Sequence, residues 1–285
     1  MVNVGIIGAT GYTGMELLRL LITHPKVDSL LLTSRKNKGL SVSALYPEFQ
    51  GVIDFKYEEP LPEILADCDV VFFCTPHGVA QSMVPALLEL GVKVIDLSAD
   101  FRIRDVSIWE SWYGMSHSAS NFVSRAVYGL PEFNREKIAS ADLIACPGCY
   151  PTSIELGLMP LLKNDSLQLS GIIANVASGV SGAGRTLSTD KLFSEINDSF
   201  RAYSVSGHRH QPEIEQILSE MAGTEVDITF VPHLLPINRG IPSTLYGTLK
   251  NSGENFQKLY EEFYCSEPFV QVLPPGVHPS TRNVR

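Results

Sequence analysis

A short segment rich in cysteine and proline, Cys146-Pro-Gly-Cys149-Tyr-Pro-Thr152, carries the residues best suited to covalent chemistry. Pro151 fits the first turn of a helix, where its missing N–H costs nothing. Apolar residues then recur on one helical face, at Ile154, Leu158, Leu161 and Leu162. Cys149 is therefore predicted at a helix N-terminus, where the N–H groups and the helix dipole favour a thiolate. The segment indicates a cysteine nucleophile.

Two other interpretations of these cysteines stay open. The Cys-x-x-Cys spacing of Cys146 and Cys149 also suits a dithiol redox pair, and either thiol could simply be buried in a core. A zinc site would need a second cysteine pair at short spacing, whereas Cys68, Cys74 and Cys265 are isolated in the sequence. No metal site is predicted.

The composition is that of a globular protein. Of 285 residues, 44% are hydrophobic and 19% are charged, which suffices for two domains with cores. No apolar run reaches the roughly 18 residues that span a bilayer, and the N-terminus does not resemble a secretory leader. The net charge of −9 disfavours nucleic-acid binding, and the odd number of five cysteines favours a reducing compartment. We expect a cytoplasmic protein without nucleic-acid or membrane partners.

A glycine turn follows the first apolar run. Residues 2–7 are predicted to form a buried strand, and an apolar-periodic helix with Leu18, Leu21 and Ile22 begins after Gly14. The G-x-x-G-x-x-G spacing varies the dinucleotide-binding fingerprint, in which glycines permit a tight turn and a close approach of the pyrophosphate. The predicted cofactor-binding residues here are Gly8, Thr10, Gly11, Tyr12, Thr13 and Gly14.

The end of the second predicted strand, residues 29–33, bears on which nucleotide binds. An NAD-specific enzyme usually carries an acid there for the ribose 2′-hydroxyl, whereas this chain has Ser34 and Arg35. A hydroxyl and a cation suit a 2′-phosphate, so NADP(H) is the predicted cofactor. An ordinary solvated loop is the alternative.

The first half of the chain alternates strands and helices. A short amphipathic piece runs through Tyr46 and Phe49, and the rest is predicted as a possible strand at 52–55, a helix from 62, strands at 69–75, 92–97 and 142–145, and a helix over 79–90. This alternation predicts a Rossmann-type, doubly wound parallel sheet that binds ligands at the carboxyl ends of its strands. Thr75, Pro76 and His77 should therefore border the cofactor, with His77 as a lining residue.

Arg102 follows another predicted strand end and could hold a substrate anion. A surface arginine paired to Asp100 or Asp105 is an equal alternative. From residue 106 to residue 134 the periodicity is lost, and a long loop is predicted.

The second half has a different pattern, with strands predicted at 171–178, 226–235 and 243–250 and helices at 191–196, 212–221 and 254–264. We therefore expect an NADP-binding domain over 1–148 and an α+β catalytic and dimerisation domain over 149–285. The glycine-rich stretch from Ser178 to Arg185 could wrap a nicotinamide or a phosphate, so Ser178 and Gly182 are predicted cofactor residues and Arg185 a substrate residue. Ala183 breaks the G-x-S-x-G pattern of a serine hydrolase.

A histidine pair precedes the next helix, in Gly207-His208-Arg-His210-Gln-Pro-Glu213. Glu213 lies three residues after His210, close enough to orient its imidazole, and a thiol, a base and an orienting group are what nucleophilic catalysis needs. Alternatively, His210 only caps the helix while Glu213 sits in its first turn.

Taken together, these motifs resemble N-acetyl-gamma-glutamyl-phosphate reductase, in the semialdehyde dehydrogenase superfamily. The resemblance rests on the glycine turn, the Cys149 segment, Ser178 to Arg185, and His208 to Glu213, and it covers nearly the whole chain. It implies NADPH-dependent reduction of an acyl phosphate, N-acetyl-L-glutamyl 5-phosphate, to the semialdehyde and inorganic phosphate in arginine biosynthesis. It further implies a homodimer or homotetramer, Cys149 as nucleophile, and His208 or His210 as the acid/base, with His210 favoured.

Members of this family usually continue for some tens of residues beyond Pro279 to Arg282, through a helix that returns to the nucleotide domain. This chain stops at Arg285, so that helix is expected to be absent from it. The alternatives within the same chemistry are aspartate-semialdehyde and N-acetyl-aminoadipate-semialdehyde dehydrogenases. A non-catalytic NADP-binding regulator and a dithiol exchanger are the alternatives of other classes.

Overall fold

The computed structural model describes residues 1–251 and 253–283, which form two compact units, Met1–Pro147 and Gly148–Arg285. Val284 and Arg285, on which the prediction about the chain's end falls, lie outside the described residues. None of the helices in the described part of the chain has the length and hydrophobicity needed to cross a membrane.

The first unit is built on a six-stranded parallel sheet. Its strands are β1 (Val2–Ile7), β2 (Val27–Thr33), β3 (Val70–Phe73), β4 (Lys93–Asp96), β5 (Val127–Tyr128) and β6 (Leu143–Ala145), in the order β2-β1-β3-β4-β6-β5. The helices are α1 (Tyr12–Leu21), α2 (Val42–Leu45), α3 (Pro62–Leu65), α4 (Ala80–Glu89), α5 (Val106–Tyr113) and α6 (Pro131–Ser140).

Both faces of this sheet are covered. Ile6 packs in one apolar cluster with Leu18 of α1, and its neighbour Ile7 packs in another with Leu87 of α4. Successive strand residues point to opposite faces, so a strand covered on both sides must be apolar throughout. This explains why residues 4–7 of β1 are buried and carry no polar side chain, and the predicted doubly wound α/β fold is confirmed.

The second unit has a four-stranded mixed sheet. Its elements are α7 (Cys149–Lys163), β7 (Ile172–Gly179), α8 (Phe193–Ile196), β8 (Arg201–Ala202), α9 (Gln211–Ala222), β9 (Ile228–Leu235), β10 (Ser243–Tyr246) and α10 (Phe256–Phe263). The sheet order is β10-β7-β9-β8, with β7 and β9 parallel and the two edge strands antiparallel to their neighbours. The predicted α+β organisation is confirmed.

Two predictions about the first unit are wrong. Residues 52–55 form no strand, because the N–H groups of Val52 and Ile53 turn back to the carbonyl of Phe49. Residues 106–134 are not a long loop. Asp105 accepts the first N–H groups of α5, Gly114 ends that helix in the left-handed conformation, and α6 begins at Pro131.

The physical reason for the second error is the placement of the aromatic residues. Trp109 and Tyr113 are one helical turn apart and both are buried, and their rings stack with centroids 5.0 Å apart. An aromatic helix of eight residues therefore occupies a stretch whose composition resembles a loop.

Candidate active site

The predicted helix N-terminus at Cys149 is confirmed. Cys149 is the first residue of the 15-residue helix α7, after Gly148 in extended conformation at the N-cap. The thiol-bearing residue is exposed, whereas the next residue, Tyr150, is 2% exposed and anchors the first turn in the unit's core. The N–H groups at a helix start have no partner within the helix and carry partial positive charge, which suits an anionic sulfur. An accessible cysteine thus lies at the positive end of a long helix.

Helix α9 begins beside this cysteine. His210 occupies its N-cap position, and a Cβ atom placed on Gly148 would come within 2.8 Å of His210 Nε2 and 2.9 Å of Cε1. The edge of the imidazole therefore lies against the residue immediately before Cys149, and glycine at 148 leaves the room for it. The structure places His210 against the residue that precedes Cys149, although the two lie about sixty positions apart in the chain.

Glu213 lies in the first turn of α9 and is fully buried. Its Oε1 accepts a hydrogen bond of 2.7 Å from the N–H of Gly148. The alternative placed His210 at the helix cap and Glu213 in the first turn, and both positions are confirmed, but the His210 side chain makes no capping hydrogen bond.

His208 is held in one protonation state. Its Nδ1 accepts a hydrogen bond of 3.0 Å from the N–H of His210, and burial lowers its pKa to about 4, with a smaller effect from the nearby charge of Arg209. An imidazole that accepts at Nδ1 carries its proton on Nε2 when neutral. His208 is therefore a neutral acceptor that shapes the turn before α9.

An aromatic group surrounds the histidines. Tyr150 meets both His208 and His210 edge to face, with ring centroids 5.5 Å and 5.8 Å away, and its hydroxyl lies 2.7 Å from that of Tyr203. Burial, with the Tyr203 hydrogen bond as the next cause, raises the pKa of Tyr150. Sequence reasoning missed Gly148, Tyr150 and Tyr203 as parts of this site. Only their proximity to Cys149 and His208 in the chain offered a signal.

The glycine turn in the first unit has the crowding that glycine requires. Gly8 has φ +81°, and a Cβ there would lie 2.5 Å from the carbonyl oxygen of Cys74. A Cβ on Gly14 would lie 2.6 Å from Ala9 Cα, so α1 packs closely on the turn. Gly11 is the N-cap of α1, and Tyr12 and Thr13 are exposed in its first turn. Thr10 is half-buried, and its carbonyl accepts from the hydroxyl of Tyr46.

The other predicted cofactor residues of this unit follow neighbouring strands. Ser34 is buried and Arg35 exposed just after β2, while Thr75, exposed Pro76 and half-buried His77 follow β3. The strand order β2-β1-β3 places these groups and the glycine turn along one edge of the sheet. The buried Oγ1 of Thr75 has no hydrogen-bond partner within residues 1–251 and 253–283. A glycine cradle, a buried hydroxyl and an exposed cation together fit a phosphorylated nucleotide.

Arg102 lies inside the first unit. It is 7% exposed, and it donates from Nε to the carbonyl of Cys146 at 2.6 Å and from Nη2 to the carbonyl of Leu97 at 2.9 Å. The alternative of a surface arginine is therefore wrong.

Burial raises the pKa of Cys146 to about 12, which removes the thiolate that a dithiol exchanger would need at neutral pH.

The glycine-rich stretch after β7 is folded. Residues 180–183 form a 3₁₀ helix, and buried Ser178 donates to the carbonyl of Gly179 at 2.9 Å. Gly182 is exposed, and a Cβ there would lie 2.8 Å from Ser178 Oγ, so the structure places these two predicted residues together. Arg185 is exposed just beyond them. No group of three or more His, Cys, Asp or Glu side chains in the described part of the chain is arranged to bind a metal.

Comparisons with known proteins assign the family. The semialdehyde dehydrogenase NAD-binding domain matches residues 3–141, and the semialdehyde dehydrogenase dimerisation domain matches residues 149–285. N-acetyl-gamma-glutamyl-phosphate reductase of Saccharophagus degradans is 56% identical over 288 residues, which cover 100% of this chain and 83% of the relative. The enzyme of the same name from Nitrosococcus oceani is 55% identical over 286 residues, with the same coverage. The chain belongs to the N-acetyl-gamma-glutamyl-phosphate reductase family.

Solved structures agree on the fold. The aspartate semialdehyde dehydrogenase II of Vibrio cholerae has a TM-score of 0.73 at 16% identity, over 99% of this chain and 84% of that one. A probable aspartate-semialdehyde dehydrogenase of Pseudomonas aeruginosa has a TM-score of 0.70 at 18% identity, over 98% and 83%. The reductase family and these dehydrogenases therefore share one fold at low sequence identity.

The low pKa of His208 predicts a pH dependence of stability. The unfolded histidine takes up a proton near pH 6.5 and the folded one only near pH 4, so the unfolded chain binds more protons between these values. The free energy of unfolding should therefore fall as the pH is lowered through this range. His208→Asn keeps an oxygen for the His210 N–H but cannot titrate. Between pH 7 and pH 5, the free energy of unfolding of this variant should fall by about 1 kcal/mol less than that of the wild type, after allowance for solvent screening.

Urea unfolding at both pH values measures this difference. His278→Asn, at an exposed histidine, is the matched control and should follow the wild type. An unchanged pH dependence in His208→Asn would contradict the assignment.

Proposed function

We propose that this protein reduces N-acetyl-L-glutamyl 5-phosphate with NADPH to N-acetyl-L-glutamate 5-semialdehyde and phosphate, a step of arginine biosynthesis. The observation that carries the proposal is the 56% identity, along the whole chain, to the N-acetyl-gamma-glutamyl-phosphate reductase of Saccharophagus degradans. The geometry of the second unit supports it, because an exposed cysteine at a helix start next to a histidine is suited to acyl transfer.

Cys149 is the proposed nucleophile. Its thiolate attacks the carbonyl carbon of the acyl phosphate, the bond from that carbon to the phosphate oxygen breaks, and inorganic phosphate leaves with the electron pair. The acyl group is then held on sulfur as a thioester. Backbone N–H groups in the first turn of α7 are proposed to stabilise the developing oxyanion, since fixed donors at a helix start suit that charge. When bound, NADPH supplies the hydride that converts the acyl group to the aldehyde.

His210 is the proposed acid/base. Its Nε2 edge lies against Gly148, next to the sulfur-bearing residue, so it can take the thiol proton before attack and return a proton as the aldehyde leaves. His208 is unsuited to this role at neutral pH, because its pKa is lowered to about 4 and its Nδ1 accepts from the His210 N–H. The low pKa of His208 and its hydrogen bond to the backbone therefore favour His210 as the acid/base.

Of the two arginines proposed for the substrate, Arg185 has the better placement. It is exposed, whereas the Arg102 guanidinium is buried and donates to two backbone carbonyls. We propose that Arg185 binds an anionic group of the substrate. Arg102 instead donates a hydrogen bond to the Cys146 carbonyl and so holds the backbone there.

The function is tested in the direction of semialdehyde oxidation. Phosphate-dependent reduction of NADP should be fastest with N-acetyl-glutamate semialdehyde, compared with aspartate semialdehyde and N-acetyl-aminoadipate semialdehyde. Cys149→Ser should lower kcat about a thousandfold or more, because an alcohol is a much weaker nucleophile than a thiolate. Cys265→Ser, at another exposed cysteine, is the control and should keep full activity.

A faster reaction with aspartate semialdehyde or N-acetyl-aminoadipate semialdehyde would assign the protein to the corresponding semialdehyde dehydrogenase activity instead. Binding of NADPH without phosphate-dependent oxidation of any of the three semialdehydes would favour the alternative of a non-catalytic NADP-binding regulator.

The preference for NADP over NAD is proposed from the end of β2. Arg35 is exposed there beside buried Ser34, and the family match supports a nicotinamide nucleotide without distinguishing the two. Lys38, in the same loop, is paired with Glu59 at 2.8 Å. Arg35 is thus the better placed cation for a 2′-phosphate.

The KM values for NADPH and NADH test this preference. Arg35→Ala should raise the KM for NADPH about tenfold, through loss of one charged contact, and leave that for NADH nearly unchanged. Lys38→Ala is the matched control and should change neither. A wild-type enzyme that prefers NADH would refute the proposal.

We also propose a homodimer or homotetramer in which the second unit associates through the outer face of its sheet. Alternate residues of β7 and β9 are buried, whereas Ile173 and its cross-strand neighbour Tyr246 are 38% and 53% exposed on the opposite face. These two exposed apolar side chains lie within the region that matches the family's dimerisation domain.

Sedimentation velocity tests the association. The wild type should sediment as a dimer or tetramer, and Ile173→Asp should shift the equilibrium toward monomer, because a charge buried in an apolar interface is costly. Leu90→Asp, at an exposed leucine of the first unit, is the control. Monomeric wild type, or equal effects of both substitutions, would contradict the proposal.

A further inference from the structure

Two helices of the second unit begin at the same place, and a single carboxylate joins their first turns. Glu213, in the first turn of α9, is 0% exposed, and its Oε1 accepts from the N–H of Gly148 at the N-cap of α7 at 2.7 Å. Sequence reasoning assigned Glu213 to the orientation of His210. The structure shows a contact from Glu213 to Gly148, the residue that precedes Cys149.

The carboxylate has a favourable environment for its charge in this position. Each helix start presents N–H groups and partial positive charge, so a negative group between two of them is stabilised by both dipoles. Hydrogen bonds from a backbone N–H to an ionised carboxylate are also shorter and stronger than neutral ones. Glu213 can therefore be fully buried as a partner of Gly148.

Gly148 is confined from three directions. Glu213 holds its N–H, while a Cβ on it would meet His210 Nε2 at 2.8 Å and Pro151 Cδ at 3.0 Å. The next residue along the chain is Cys149. A change in the position of the Gly148 amide must therefore move the thiol relative to the His210 imidazole.

We propose that Glu213 is a positioning residue that acts through the Gly148 amide, fixing the first turn of α7 so that Cys149 faces His210. This rests on the proposed function only in taking Cys149 as the nucleophile. In this role, the position of Cys149 depends mainly on an oxygen acceptor that reaches the Gly148 N–H. The negative charge of the side chain contributes less. In a role as charged orienter of His210, the charge would matter more than the length.

The two roles give opposite orders for two substitutions. Glu213→Gln keeps an oxygen acceptor at the same distance and removes the charge, whereas Glu213→Asp keeps the charge and withdraws the acceptor by one methylene. The reactivity of Cys149 toward iodoacetamide, followed by peptide mass spectrometry at pH 7.5, reports on the thiol without acyl phosphate or nucleotide. Exposed Cys265 provides the internal reference rate, and Cys68, 8% exposed, must stay unreactive in every folded variant.

We expect the ratio of the Cys149 rate to the Cys265 rate to fall no more than about threefold in Glu213→Gln and at least about thirtyfold in Glu213→Asp, with kcat in the same order. Glu213→Met, which keeps the length without an acceptor, should resemble Glu213→Asp and replaces it if that variant does not fold. Glu215→Gln is the matched control, since Glu215 lies on the same helix and accepts from Gln211 Nε2. It should behave as the wild type.

An Asp variant equal to or faster than the Gln variant, equal losses in both, or no loss in either would overturn the proposal. Failure of the proposed substrate in the enzymatic assay would leave the alkylation result intact. An unreactive Cys149 in the wild type would count against the proposed function itself.

Discussion

The hydrogen bond between the Glu213 carboxylate and the Gly148 amide is the constraint on which the second unit's site depends. It joins the starts of α7 and α9, the elements that carry the exposed cysteine and the histidines. Burying a carboxylate is costly in a protein interior unless hydrogen bonds and local positive potential compensate it, and the two helix starts supply both. This hydrogen bond thus joins the helix starts at which Cys149 and His210 lie.

Burial sets the protonation state of His208. His208 lies among Tyr150, Tyr203 and Phe230, and desolvation keeps it neutral. His210 is one residue removed and borders Gly148. Because desolvation disfavours the charged form of an imidazole, His208 stays neutral and accepts the His210 N–H.

Much of this arrangement could be predicted from the sequence because its causes are local. A largely apolar run predicted β1 at Val2–Ile7, and Pro151 together with the apolar repeat predicted Cys149 at a helix start, both as the structure has them. The glycine turn was recognisable since its spacing reflects close approach of backbone to backbone.

The rest depends on contacts distant in the chain. Glu213 is 65 residues from Gly148, and Tyr203 is 53 residues from Tyr150, so spacing could not pair them. The burial of Arg102 beneath the Cys146 carbonyl likewise comes from packing, and the helix with Trp109 was missed because its aromatic residues resemble a loop composition.

The connection between β6 and α7 consists of only three residues, and both of its ends are held. Cys146 donates its N–H to the carbonyl of Asp96 and receives the Arg102 guanidinium on its own carbonyl, Pro147 has a ring-fixed φ, and the Gly148 amide is bound by Glu213. A residue inserted between Gly148 and Cys149 would separate the sulfur from the amide that Glu213 binds at the start of α7. Length variation among homologous chains should be found in the surface loops rather than in this tripeptide.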